Sequence, residues 1–412
     1  MNVSIAGQEH ATIADAFGRW QVELDPLAAG TNYSLTVVGD ARIDVENVRV
    51  GEVWICGGQS NMVLGFPTSG QLGAHPDVHT FAMDGWDDLP SSSCWEFGIR
   101  LSDAYGVPIG LLNNAVSGTK IRAWQGPAVY QDSDPAVALI VATYDQVGRL
   151  YADRVASLQP YAIRGVAWWQ GESDVRQATE HVHMLPAMIR SWRAGWKRED
   201  LPFLIVQLPT GKGLIFGNRA RRLPRRVDYD HRTPRMRQAF HQTTLSLDHV
   251  PMLITSDLPG GVHPAERNRW MYGERMALLA RAEVYGEPLT NYSGPVAIGA
   301  TAEAGGRVRV GFRASTADGL QAGGDSPLQG FAIRGESGKW VWAQSAIQGD
   351  EVVVWSPDVE APVAVRFAYG RSTRWANLYN GAGLLAAPFE QAVLPFAAAD
   401  GPLAAEDGPP LT

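Results

Sequence analysis

Short apolar segments that alternate with helical stretches between residues 51 and 287 constrain the fold most. The apolar segments are residues 53–56, 109–112, 163–169, 203–208 and 252–255. The stretches with apolar side chains three and four positions apart, the period of a helix, are residues 135–158, 185–196 and 267–285. Continuous apolar strands that alternate with helices indicate a parallel sheet with helices on both faces.

Strand patterns of another kind flank this region. The segments in which apolar and polar residues alternate are 20–24, 33–38, 308–312, 352–355 and 363–367. We therefore predict four regions: an N-terminal β module over 1–50, an α/β domain over 51–289, a C-terminal β domain over 290–396 and a loose tail over 397–412. The two β regions are expected to be small and sandwich-like.

Composition limits the classes of partner. The chain has 412 residues, 45% of them hydrophobic and 19% charged, which is typical of a globular protein with more than one core. A net charge of −8 argues against nucleic acid or an anionic membrane as the main partner. No apolar run approaches the roughly 20 residues that span a bilayer. No secretion signal is visible, so a cytoplasmic location and export after signal removal both stay open, as does the oligomeric state.

Two residue types bear on cofactors and ligands. Cys56 and Cys94 are too few for a disulfide framework, and the chain has no Cys/His spacing typical of a zinc site. Fourteen tryptophans are a high number. Because exposed tryptophan stacks on sugar rings, carbohydrate is one class of ligand to consider.

Polar residues follow four of the five predicted strands of the α/β domain. Ligands of parallel sheets bind beyond the carboxyl ends of the strands, so these residues are expected to meet on one rim. The four clusters are Gln59-Ser60-Asn61, Asn113-Asn114 with Ser117-Gly118-Thr119, Gln170-Gly171-Glu172-Ser173-Asp174, and the segment from Asp257 to His263.

The clusters contain the groups that serine hydrolysis needs: a nucleophile, an imidazole base and donors for the oxyanion. Ser60 follows paired glycines at a strand end, where a tight turn exposes the hydroxyl. His263 lies in a glycine-rich loop between the last strand and a helix, and its alternative role is to order that loop. Gly118 and Gln170 are candidate oxyanion donors, and the alternative for Gln170 is a buried amide that supports a loop.

The motifs and their order resemble those of the sialate O-acetylesterase family, a group of SGNH-type carbohydrate esterases. The matching motifs are Gly58-Gln59-Ser60-Asn61-Met62, Gly118-Thr119 with Ala123-Trp124, Trp169-Gln170-Gly171-Glu172-Ser173, and His263-Pro264. The resemblance implies an SGNH-hydrolase (flavodoxin-like) α/β fold without a metal or organic cofactor. It implies that Ser60 is the nucleophile and His263 the base, and that the Ser60 N–H, Gly118 and Gln170 form the oxyanion hole. The candidate substrate-binding residues are Glu172, Trp124 and Arg122.

The chain departs from the family pattern at one important position. The family places an aspartate three residues before the histidine, and here that residue is Gly260. We take Asp257 as the first choice for the third member of the catalytic triad. Glu172 or Asp174 at the neighbouring strand end, or a Ser–His dyad, are the alternatives.

A further feature is a group of eight arginines between residues 219 and 237 of this acidic chain. The group is either a solvated loop or a site for a carboxylate, which guanidinium groups bind in bidentate fashion. We therefore predict a serine esterase that removes O-acetyl groups from a carbohydrate, with an acidic sugar as one hypothesis. The alternatives are an acetylesterase for plant or microbial polysaccharide, and a non-catalytic carbohydrate-binding protein that has lost the triad aspartate.

Overall fold

The computed structural model describes most of the chain. The described residues are 1–63, 75–82, 85–87, 91–209, 223–225, 227, 232–258, 261, 263–264, 266–373 and 375–395. Gly260, the predicted tail over 397–412 and four arginines of the arginine-rich stretch (Arg219, Arg221, Arg222 and Arg226) lie outside these residues.

The N-terminal region forms one antiparallel sheet of order β2-β1-β3-β4. Its strands are β1 Asn2–Ile5, β2 Gln8–Ala11, β3 Gly30–Val38 and β4 Arg42–Val50. The strand predicted over 20–24 is wrong, since this segment has no regular secondary structure. Residues 20–24 are exposed or half-buried, so the segment has no buried apolar face that would hold it against a sheet.

The central sheet has seven strands in the order β11-β10-β9-β5-β8-β6-β7. They are β5 Glu52–Gly58, β6 Val78–Ala82, β7 Gly85–Asp87, β8 Ile109–Ala115, β9 Gly165–Trp169, β10 Phe203–Val206 and β11 Met252–Leu253. All neighbours are parallel except β6 and β7. Without β6 and β7, which extend the sheet beyond β8, the order is that of flavodoxin-like folds, in which the first strand lies beside the second and third.

Helices cover both faces of this sheet. The described α-helices are α1 Ser60–Val63, α2 Ser92–Tyr105, α3 Pro135–Thr143, α4 Ala178–Trp196, α5 Arg232–Ser246 and α6 Glu266–Glu283. Trp54 of β5 packs in a core with side chains of α2 and α6, whereas the next residue, Ile55, packs in a core with side chains of α3, α4 and α5. Successive side chains of a strand point to opposite faces, so a strand buried on both faces is apolar throughout.

The C-terminal region is a β-sandwich. Its strands are β12 Ala297–Glu303, β13 Arg307–Phe312, β14 Gln321–Ala322, β15 Phe331–Arg334, β16 Trp340–Trp342, β17 Gln344–Gln348, β18 Glu351–Trp355, β19 Ala364–Phe367, β20 Leu378–Tyr379 and β21 Phe389–Ala392. Two four-stranded sheets, β12-β13-β18-β17 and β16-β15-β19-β21, enclose a shared apolar core.

Hydrogen bonds join the sandwich to the α/β region. The guanidinium of Arg237, on α5, donates to the carbonyl oxygens of Leu208 (2.9 Å), Pro209 (2.9 Å) and Gly370 (2.8 Å). Trp342 of β16 donates through Nε1 to the Pro224 carbonyl at 2.8 Å. The described end of the arginine-rich stretch therefore lies against the sandwich.

One covalent cross-link lies beside the central sheet. Cys56 of β5 and Cys94 of α2 form a disulfide with 6.3 Å between their Cα atoms, a pairing that the sequence analysis did not predict. Within the described ranges, no helix is both long and apolar enough to cross a bilayer. The same part of the chain holds no cluster of three or more acidic, histidine or cysteine side chains arranged to bind a metal ion.

Candidate active site

Three strand ends meet at the centre of the sheet. β5 is paired with β8 on one edge and with β9 on the other, and the last residue of β5, Gly58, is opposite Ala115 of β8 and Trp169 of β9. The segments that follow these strands therefore leave the sheet at neighbouring points. They carry Ser60, Gly118 and Gln170, so the fold places these three predicted residues on one rim.

The turn that carries Ser60 requires glycine at position 58. Gly58 has φ +132°, and a Cβ there would lie 2.1 Å from the Trp169 carbonyl oxygen. The next residue, Gln59, accepts hydrogen bonds at Oε1 from the Gly171 and Ser173 N–H groups, both at 3.3 Å. These contacts fasten the end of β5 to the end of β9. Ser60 follows as the first residue of α1 and is half-buried.

Gly118 lies in the exposed turn after β8. Its φ of +73° is in the left-handed region, and a Cβ there would meet nothing within 4 Å. Thr119 holds the turn, since its Oγ1 donates to the Val116 carbonyl at 2.8 Å and accepts from Trp124 Nε1 at 3.0 Å. No hydrogen-bond acceptor in the described part of the chain takes the backbone N–H of Gly118 or that of Ser60.

The structure gives Gln170 a different environment from that of a free oxyanion donor. The side chain is completely buried. Its Nε2 donates to Asp174 Oδ2 at 2.6 Å, to the Thr119 carbonyl at 3.1 Å and to Gln59 Oε1 at 3.4 Å. Because an amide has two N–H groups, none is left for a substrate oxygen. Gln170 instead ties the Gly118 turn to the Ser60 turn.

His263 reaches the rim from the loop after β11. The side chain is exposed, and Nδ1 lies 3.2 Å from Oδ1 of Asn61, the residue after Ser60. Asn61 is completely buried and donates through Nδ2 to Glu172 Oε1 at 2.6 Å. Among the described residues, Ser60 and His263 share no direct hydrogen bond, which is common in substrate-free serine esterase sites. Asn61 connects the two.

The Glu172 side chain is half-buried at this rim. Its second oxygen, Oε2, is buried without a hydrogen-bond partner in the described part of the chain. Burial raises the pKa of Glu172 to about 7. Hydrogen bonds, including the one from Asn61, lower this pKa, but the effect of burial is larger. Because a perturbed carboxyl pKa is frequent in catalytic sites, Glu172 is a functional candidate for reasons beyond its motif.

The other two acids of the rim form hydrogen bonds with groups other than His263. Asp257 forms a two-pronged ion pair with Arg275 of α6, with distances of 2.8 and 2.6 Å. No hydrogen bond joins Asp257 to His263 within the described residues, contrary to the first choice for a third triad member. Asp174 is buried and accepts from the Ile121 N–H at 2.8 Å as well as from Gln170.

The expected substrate contacts differ in accessibility. Trp124 is completely buried, so its ring belongs to the core and cannot stack on a sugar in this structure. Arg122 is half-buried, and its guanidinium lies over the Tyr144 ring, 4.4 Å from the centroid. Arg237, a member of the arginine-rich stretch, is buried and bonded to three carbonyls, so it does not bind a carboxylate ligand. Arg225 and Arg232 are exposed.

Asn61 is the residue of this site to which the sequence analysis gave no role. Two signals pointed to it: it follows Ser60 directly, and it belongs to the same polar strand end. Its partner Glu172 is 111 positions away, on the end of the neighbouring strand. Only the pairing of β5 with β9 shows that the two side chains meet.

Comparisons with known proteins identify relatives of this chain. Residues 74–278 match the family described as carbohydrate esterase, sialic acid-specific acetylesterase. This range contains Gly118, Gln170 and His263 and begins after Ser60. The crystal structure of a carbohydrate acetylesterase from Xanthomonas citri superposes with a TM-score of 0.79 at 31% sequence identity, and the match covers 95% of this chain and 92% of that one. This likeness confirms the predicted fold class.

Two mammalian relatives are more distant in sequence. Sialate O-acetylesterase of Homo sapiens is 26% identical over 337 residues, and the match covers 67% of this chain and 62% of the human protein. Sialate O-acetylesterase of Mus musculus is 25% identical over 371 residues, and the match covers 69% and 67% of the two chains. The chain thus spans less than two thirds of the length of the human relative.

Proposed function

The chain belongs to the carbohydrate esterase family of sialic acid-specific acetylesterases, and from this membership we propose that it is a serine esterase that removes O-acetyl groups from a carbohydrate. The observation that carries the proposal is the His263–Asn61 hydrogen bond of 3.2 Å, because it brings an imidazole to the residue next to Ser60. A half-buried serine and an exposed histidine at one rim are open to an ester substrate.

In the proposed mechanism Ser60 Oγ attacks the acetyl carbonyl while His263 Nε2 takes the hydroxyl proton. The tetrahedral intermediate collapses when the imidazolium returns this proton to the sugar oxygen, which leaves as an alcohol. Water, deprotonated by the same imidazole, then attacks the acetyl-serine and releases acetate. All steps use groups of the chain and water, with no change of oxidation state.

The oxyanion of the intermediate is assigned to two backbone donors, the N–H groups of Ser60 and Gly118. Their lack of protein acceptors in the described part of the chain supports this role. Fixed donors of this kind are each worth about 3 kcal/mol of transition-state stabilisation. Gln170 acts here as a positioning residue, because its amide bonds to both the Thr119 carbonyl and Gln59 hold the two turns in register.

The test is hydrolysis of a chromogenic acetate ester by wild type and Ser60→Ala. We expect the variant to lose at least about 10³-fold in kcat, since it lacks the nucleophile. Unchanged thermal unfolding of the variant is the control for folding. Equal activity of the two proteins would reject the esterase and favour the competing non-catalytic carbohydrate-binding protein.

The substrate within this class is a finer question. We propose an acidic O-acetylated sugar, supported by the description of the matching family and by the exposed Arg225 and Arg232. The name of the Xanthomonas citri protein, a carbohydrate acetylesterase, favours the broader alternative of acetylated polysaccharide. Acetate release from O-acetylated sialic acid and from acetylated xylan distinguishes them: a higher kcat/KM for xylan contradicts the acidic substrate.

A further inference from the structure

We propose that Asn61 and Glu172 are the positioning residues that orient His263. The inference rests on the proposed function, because it assigns the support of the catalytic base. Its basis is a chain of two hydrogen bonds, from His263 Nδ1 to Asn61 Oδ1 (3.2 Å) and from Asn61 Nδ2 to Glu172 Oε1 (2.6 Å).

The carboxylate fixes which way the Asn61 amide points. An ionised carboxylate accepts hydrogen bonds and donates none, so the side of Asn61 that faces Glu172 is the NH₂ group. The opposite side, facing His263, is then the carbonyl oxygen. Asn61 is completely buried, so its amide has no freedom to turn into solvent.

The Asn61 carbonyl in turn selects the tautomer of His263. An acceptor at Nδ1 requires that Nδ1 carry the hydrogen, which leaves the lone pair on Nε2. This is the tautomer in which Nε2 removes the proton from Ser60. In aspartate-containing triads the carboxylate performs this selection directly, whereas here Glu172 acts through one intervening amide.

The other acids of the rim form hydrogen bonds with other partners. Asp257 is held by Arg275 through both of its oxygens, and Asp174 is held by Gln170 and the Ile121 N–H. Within the described residues, Glu172 is thus the carboxyl that hydrogen bonds connect to His263. Its bond to Asn61 is as short, at 2.6 Å, as the shortest bonds of Asp174 and Asp257.

The charge of Glu172 sets the pH range in which the two bonds favour catalysis. Its pKa of about 7 reflects burial, with Asp174 of the same turn opposing ionisation. The other titratable groups that face it are Tyr272 of α6, whose pKa is itself raised by burial, and His263 through Asn61. When Glu172 is protonated it becomes a donor, and the Asn61 amide loses its preferred orientation. Protonation of Glu172 then reduces activity on the acid side.

Glu172→Gln tests the inference, with Glu180→Gln as a matched control. Glu180 carries a half-buried carboxylate that accepts from Tyr144 Oη at 2.8 Å, outside the site. We expect Glu172→Gln to lose on the order of 10- to 100-fold in kcat with little change in KM, less than the roughly 10⁴-fold loss of a directly bonded aspartate. The decrease of log(kcat/KM) below about pH 7 that comes from protonation of Glu172 is absent in this variant. Glu180→Gln keeps the wild-type profile.

A second variant separates positioning from folding. Asn61→Asp in the Glu172→Gln background places a carboxylate directly on His263 Nδ1, and we expect it to recover at least tenfold of the lost kcat. A wild-type kcat and pH profile in Glu172→Gln overturns the inference, and so does a loss of kcat in Asp257→Asn without one in Glu172→Gln. The esterase proposal is tested separately. If Ser60→Ala is inactive, that proposal is retained whatever the result for Glu172→Gln; if Ser60→Ala is active, the esterase proposal is rejected.

Discussion

Individual residues of this chain serve as spacers as well as reactive groups. The rim works only if the ends of β5 and β9 approach closely, and that approach depends on Gly58, where a side chain would collide with the Trp169 backbone. The reactive groups Ser60, Gly118 and His263 follow from motifs in the sequence. The bond between Asn61 and Glu172 does not, because no local pattern reports a contact between residues 111 positions apart.

Gly58→Ala should destabilise the protein by about 2–5 kcal/mol, since its Cβ would overlap the Trp169 carbonyl and its φ disfavours any side chain. Urea unfolding monitored by tryptophan fluorescence measures the loss. Gly286→Ala is the control, because Gly286 has φ +71° and open space around it, so only backbone strain of about 1 kcal/mol applies. Equal losses in the two variants would show that the contact with Trp169 is not limiting.

At the scale of elements, the sequence predicts best where apolar spacing is regular. All five predicted strands of the sheet are present, and so are α4 and α6. The helices α2 and α5 were not predicted, because their buried faces carry polar residues: Ser92, Ser93 and Glu96 in α2, and Arg237 and His241 in α5. A period counted on apolar residues does not detect such faces. β6 was not predicted because it is short and includes the polar residues His79 and Thr80.

Buried histidines on the helices α4 and α5 make the stability of the protein depend on pH. Burial lowers the pKa of His181 to about 3 and that of His241 to about 4, and neither His181 ring nitrogen has a partner in the described part of the chain. In the unfolded chain a histidine binds its proton near pH 6.5. Below that pH the unfolded state therefore binds more protons than the folded state, and stability falls as the pH is lowered towards 3–4, by about 1.4 kcal/mol per pH unit and histidine.

His181→Met removes one of these groups and retains an apolar side chain of similar size. From pH 7.5 to pH 5 we expect its free energy of unfolding to fall by about 2 kcal/mol less than that of wild type. Urea denaturation at the two pH values gives the difference. The exposed His249 supplies the control His249→Asn, which should follow wild type. An unaltered pH dependence in His181→Met would contradict the assignment.

At the scale of the whole molecule, Arg237 links the α/β region to the C-terminal sandwich. It is completely buried, and burial lowers the pKa of its guanidinium to about 10. Its three hydrogen bonds satisfy carbonyls from both regions. The division of the chain into separate domains is a prediction from sequence. The sequence did not predict this contact between the two regions, because arginine is expected on surfaces and Arg237 is buried.

Arg237→Met should cost about 3 kcal/mol or more, because three buried carbonyl oxygens lose their donor. Chemical denaturation provides the free energy, and limited proteolysis reports whether the sandwich loosens first. The exposed Arg232, on the same helix, provides the control Arg232→Met, for which we expect a change within about 0.5 kcal/mol. A loss below 1 kcal/mol in Arg237→Met would mean that the connection depends on other contacts.

The two hydrogen bonds that support His263 span 202 and 111 positions of the chain. Closing such large loops costs entropy that only the completed sheet repays, so contacts of this range form late in folding. A nascent or partly refolded chain can thus gain helices and collapse while its esterase centre is still unassembled. The rate at which acetate release recovers during refolding therefore reports when the sheet is complete. The faster change in circular dichroism reports the earlier formation of helices.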